Sequence, residues 1–240
     1  MTMDLEIWDF VKTHEVEYDW PVGAKARARL AEVLGSEIAW PAMGSGAQQN
    51  RELRLFVNSA LRAHETDAAR AAALYQWIVC DWGGVKAGRD TVESWASPEF
   101  GWHGAYDEAT LGFFIDQMGS RRVSSWSKIF AFAAPDRHAI YDSRVAVALN
   151  LAMEHLGQPQ RFVMPASKVY VDRNGEARPN AVARARERLH GRATFGYRDY
   201  LRWVQAVQDG TAERGDAVDI LTIESTLFAT APAMAEKLTG

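Results

Sequence analysis

Between residues 107 and 157 the chain is punctuated as three helices in quick succession. Asp107 can cap a helix over 108–118, which Gly119 stops. Ser124 or Ser125 can cap the next, which must end before Pro135. Asp142 can cap a third over 143–156, ending at Gly157. The same pattern extends through most of the chain. Residues 24–34 and 51–63 carry apolar positions at helical spacing. Residues 67–80, DAARAAALYQWIVC, are alanine-rich and strongly helix-forming, and Gly83-Gly84 follow as a left-handed cap. Ser94 to Gly104 reads as a loop. Helices are expected again at 181–190, 196–208 and 217–230. Between them, residues 158–180 hold three prolines, and KVYVDRNGEARP is expected to form one short β-hairpin around Asn174-Gly175. These signals imply an all-α fold, a bundle of two helical lobes, within a single domain over 1–240.

Composition narrows the classes. The 240 residues are 48% hydrophobic, enough for a substantial core. Cys80 is the sole cysteine, so the chain forms no internal disulfide and no cysteine-ligated zinc or iron–sulfur site. That suits a reducing compartment, and a cytoplasmic protein is expected. The acidic start MTMDLEIWDF lacks the basic region of a signal peptide. No apolar run approaches the roughly 18 residues of a membrane span, so no membrane partner is expected. Nine tryptophans suit a packed core and also a pocket that stacks on planar ligands.

The net charge of -4 conceals an asymmetry. Residues 1–40 hold eight acids against four lysines and arginines, whereas 160–202 hold ten lysines and arginines against four acids. A local basic face is what a nucleic acid would feel; a solvated arginine-rich helix is the plainer account.

Two residues in SSWSKIFAFAAPDRHAIYDSRV, 124–145, carry chemistry. Lys128 sits in an apolar run near a helix start. Desolvation favours the neutral, nucleophilic amine there, and the helix dipole acts in the same sense. Asp142 at the next helix start would be held by backbone amides as a fixed carboxylate. A fixed negative charge beside a sugar lowers the barrier to its oxocarbenium-like state. Each residue alone has an ordinary explanation, a surface lysine whose stem packs on its helix and a plain helix cap.

Together they resemble the helix-hairpin-helix DNA glycosylase superfamily, in particular its bacterial 8-oxoguanine DNA glycosylase-like branch. Helix 108–118, the hairpin region Gly119–Trp126, Lys128 and the segment Tyr141–Val145 occur in that family's order, and the resemblance is clear over 108–150. It implies a DNA N-glycosylase with Lys128 and Asp142 as catalytic residues, and AP-lyase activity through a lysine Schiff base. It further implies double-stranded DNA as partner, base flipping, and a role in base-excision DNA repair. A relative turned to antiviral defence would instead remove a bulky modified cytosine, such as glucosyl-hydroxymethylcytosine, from phage DNA. Trp82, Trp102, His103, Tyr106 and Trp126 lie near turns that could line the base pocket. Arg121, Arg122, Ser124, Ser125, Arg144, Arg184 and Arg188 are candidate phosphate contacts, followed by the basic helices of 160–230. Where the family hairpin carries two glycines, this chain carries Ser124 and Trp126.

No cofactor is expected. The six histidines form no metal-binding spacing, so no metal is expected either. The serines lack a G-x-S-x-G elbow. A monomer is expected. The competing account is a non-catalytic helical DNA-binding module that keeps the basic face and uses Lys128 and Asp142 only structurally.

Overall fold

The computed structural model describes residues 2–35, 46–64, 66–85, 89–96, 107–165, 180–189 and 193–239. Helix dominates. In chain order the elements are α1 (Met3–Lys12), α2 (Ala24–Leu34), α3 (Gly46–Ala63), α4 (Ala68–Gln76), a π-helical turn (Trp77–Trp82) and α5 (Arg89–Ser94). Then come α6 (Glu108–Met118), α7 (Val123–Ala133), α8 (Ser143–His155), β1 (Arg161–Phe162), α9 (Ala181–Arg188), β2 (Ala193–Phe195), α10 (Tyr197–Glu213) and α11 (Ile220–Thr239). Among the described residues no helix is long and apolar enough to cross a membrane. The chain divides into two compact units. The first is Met1–Tyr18, Ser120–Ser124 and Ile140–Gly240; the second is Asp19–Gly119 and Ser125–Ala139.

In the first unit α8 is the central rod. Every residue from Val145 to Met153 is buried, as expected of a helix enclosed on all sides. The one polar member, Asn150, is satisfied by the backbone of β1. Its Nδ2 donates to the Phe162 carbonyl (3.0 Å) and its Oδ1 accepts the Phe162 N–H (2.7 Å). The strands β1 and β2 pair in parallel, Arg161 with Ala193 and Phe162 with Phe195, with a register irregularity between. Helix α1 lies on α10, where Gly210 leaves the room that Leu5 fills; a Cβ there would come within 2.6 Å of the Leu5 side chain. Helix α10 runs on to Glu213, past the expected end at 208. Helix α11 continues through Pro232 to Thr239, beyond the expected 230.

The second unit is built on aromatic edges. Trp126 and Phe114 each meet Phe130 nearly perpendicular, Trp95 meets Phe114, and Trp77 and Trp82 meet Phe132. Such edge-to-face pairs add about 0.5–1.5 kcal/mol each beyond area burial. Trp77 also donates its indole N–H to the Ala26 carbonyl (2.7 Å). Asn58 donates to the Phe132 and Ala133 carbonyls, which closes the C-terminal end of α7.

Several expectations are corrected. Neither Ser124 nor Ser125 caps α7, because the helix begins at Val123. The preceding turn reverses the chain through left-handed residues, Gly119 (φ 53°) and Arg122 (φ 54°), and closes with the Val123 N–H on the Ser120 carbonyl. The alanine-rich helix changes to π geometry at Trp77, while of the expected glycine pair it is Gly84 that takes the left-handed conformation (φ 65°). Helix α3 starts at Gly46 and not at 51, and α1 and α5 are additional to the expected helices. The hairpin expected at 168–179 lies outside the described residues, and the strands that are described pair in parallel.

Candidate functional site

Asp142 belongs to the first unit. Its backbone is extended (φ -118°, ψ -175°) and its Oδ1 accepts the amides of Arg144 (2.9 Å) and Val145 (3.1 Å). The residue is half-buried, and among the described residues no hydrogen bond reaches Oδ2. One oxygen is thus fixed at the positive end of α8 and the other remains available.

The segment leading into this cap is held at two further points. Ile140 donates its N–H to Glu224 Oε2 (2.6 Å), and Tyr141 Oη donates to the Val163 carbonyl (2.6 Å). Glu224 is only 4% exposed. Tyr141, Tyr197 and Tyr200 pack ring against ring beneath the segment. Burial pushes the Tyr141 hydroxyl up, with the charge of Asp142 as the smaller cause. Tyr200 is pushed up as well, by burial first and then by Glu224, Tyr197, Asp142 and Tyr141. Among the described residues its buried hydroxyl has no hydrogen-bond partner. On the helix side, the Arg144 guanidinium lies over the Phe228 ring at 4.4 Å, a cation–π contact.

Lys128 belongs to the second unit. It is not a surface lysine: it is 7% exposed, and Ser127 beside it is fully buried. Its stem runs against Gly83, the residue that ends the π turn. A Cβ on Gly83 would lie 2.9 Å from Lys128 Cδ and equally close to the carbonyls of Val79 and Ile78. π turns occur mostly as single insertions in α-helices, frequently at functional sites.

The remaining candidates fall into three sets. Arg121, Arg122 and Arg184 are exposed, Ser124 is half-buried and Ser125 is buried. Arg188 is exposed but bound to Glu154 (2.6 Å), which also faces Arg161 at 3.7 Å. Arg202 pairs with Asp199 (3.2 Å), so part of the basic excess of 160–202 is already neutralised. Trp126 has no accessible surface and Trp82 is buried, its ring against Phe132 and the Arg54 guanidinium. Trp102, His103 and Tyr106 lie outside the described residues, as do Lys168, Arg173, Arg178 and Arg192.

A separate cavity of about 320 Å³ opens in the first unit, lined by Met3, Ile7, Met153, Phe162, Phe195 and Trp203 among others. Met153 is roughly 16 Å along α8 from Asp142, so this cavity is not at the cap. Among the described residues no group of three or more histidine, cysteine or acidic side chains could hold a metal.

Sequence reasoning missed Glu224 and Tyr200. For Glu224 the signal was present: it is the sole charge between Ile220 and Ala235, in an otherwise apolar or small-residue run. No protein-family model, curated protein or solved structure matches the chain.

Proposed function

We propose that the chain is a DNA glycosylase of helix-hairpin-helix type, acting on double-stranded DNA with a flipped base. The observation that carries this reading is the seat of Asp142: a half-buried carboxylate with Oδ1 held by two backbone amides and with no hydrogen bond to Oδ2 among the described residues. A carboxylate with one oxygen so fixed is in place before positive charge develops on a deoxyribose, and needs little reorganisation to stabilise it.

Lys128 is the proposed nucleophile. The lone pair of its neutral amine forms a bond to C1′. The electron pair of the glycosidic bond leaves with the base, which takes up a proton. One of the two amine protons balances the proton taken up by the base; the other passes to O4′ as the C1′–O4′ bond breaks and the nitrogen lone pair forms the C1′=N bond, which yields a Schiff base, the route to strand nicking. Burial of Lys128 against Gly83 supports this role over that of a solvated surface lysine. Arg121, Arg122 and Arg184, all exposed, are the proposed phosphate contacts. The proposed substrates are an 8-oxoguanine-like purine or, in a defence role, a bulky modified cytosine such as glucosyl-hydroxymethylcytosine in phage DNA.

The test is base release by purified protein from oxidised genomic DNA and from phage DNA rich in modified cytosine, with Asp142→Asn alongside. Release by the wild type that is lost in the variant is expected, with a borohydride-trapped adduct that disappears in Lys128→Gln. Full release by Asp142→Asn would overturn the catalytic reading; DNA binding with no release from either substrate would favour a non-catalytic binding module.

A further inference from the structure

We propose that Glu224 is a positioning residue that sets where the Asp142 carboxylate points; this rests on the glycosylase reading above. Helix α11 packs along α8, and an apolar side chain at 224 would serve that packing. A carboxylate buried to 4% exposure costs several kcal/mol unless it is hydrogen-bonded. Here it accepts the Ile140 N–H at 2.6 Å, a short, charge-assisted and therefore directional bond.

The position of that bond along the chain gives it its role. Ile140 stands two residues before Asp142. The amides of Arg144 and Val145 fix Oδ1 relative to α8. They do not fix the path by which the chain enters the cap, and tilting of that entry would swing Oδ2. Glu224 holds the entry from α11, and the Tyr141 hydroxyl holds it from Val163. Glu224 and Asp142 also both act on the buried Tyr200 hydroxyl, which places the two carboxylates in one neighbourhood of the first unit.

A reciprocal pair of variants separates positioning from charge. Glu224→Gln loses the charge and keeps an oxygen at the same reach. Glu224→Asp keeps the charge and withdraws the acceptor by one methylene. Single-turnover base release is measured for both, on whichever DNA the wild type cleaves, together with amide hydrogen exchange at Ile140, Arg144 and Val145. The expected result is Glu224→Gln within about threefold of wild type, and Glu224→Asp slower by about tenfold or more with substrate affinity unchanged, since misplacement by ~1 Å can cost ~100-fold. Exchange at the three amides should accelerate in Glu224→Asp alone. Wild-type release in both variants, equal impairment in both, or impairment in Glu224→Gln alone would each overturn the proposal. If the wild type releases no base, the glycosylase reading fails by itself. The exchange data still decide whether Glu224 orders the cap.

Discussion

The Asp142 carboxylate and the stem of Lys128 are seated by different physics. Four directional contacts hold the aspartate and the chain leading into it: two amides on Oδ1, a buried carboxylate on the residue two before it, and a phenol anchoring the residue between. The stem of the lysine is seated by volume. It occupies the space that a missing Cβ at Gly83 leaves beside a π turn. A seat made of hydrogen bonds degrades by parts, one partner at a time. A seat made of excluded volume fails all at once when something is added, because a packed interior has no slack.

That contrast orders the expected effects. Asp142→Asn keeps the cap, since asparagine caps as well as aspartate, but removes the charge. Under the proposed glycosylase function, base release should fall by about 100–1000-fold with the urea midpoint nearly unchanged; a parallel loss of stability would mean that the carboxylate serves the fold more than the site. Gly83→Ala comes next. The new Cβ meets Lys128 Cδ and two backbone carbonyls at under 3 Å, so a loss of about 1–3 kcal/mol is expected in denaturant titration. An unperturbed melt would show that the lysine stem moves aside freely and is not held by volume. Tyr141→Phe removes a single donor to the Val163 carbonyl and should cost about 1 kcal/mol, leaving the remaining contacts at Asp142 in place. The smallest effect belongs to Asp107, which caps α6 through the Thr110 amide and hydroxyl. Those bonds hold its carboxyl below the usual range. Its contribution is therefore complete above about pH 4 and is lost as pH falls through the lowered folded value. Wild type and Asp107→Ala should differ slightly in melting temperature at neutral pH and converge in acid.

Legibility in the sequence divides along the same line. Asp107 and Asp142 were legible as caps because a cap is a local rule about a short side chain and the next few amides, and α2 and α6 have the boundaries that the residues announce. The serines at 124 and 125 obey the same local rule and yet lie inside α7, because the turn before them closes through Gly119 and Arg122 one step earlier. Glu224 stands 84 positions from the amide it accepts, and no window of sequence spans that distance. The π turn was invisible for another reason: an alanine-rich helical run says how strongly the backbone winds, not where it takes an extra residue. Pro232 would stop an isolated helix, but α11 packs closely on α8 and α9 and continues through it.

The π turn also makes chain length a variable. It is an α-helix with one residue in excess, and the residue after it, Gly83, faces Lys128 because of that excess. Removing any one position from Trp77–Trp82 would let α4 wind on regularly and rotate the downstream residues by about 100°. A side chain would then arrive where the glycine had been. Substitution at the half-buried Cys80 or Asp81 leaves that phase intact, so deleting one residue from this turn disturbs the seat of the Lys128 stem more than changing either of those two side chains.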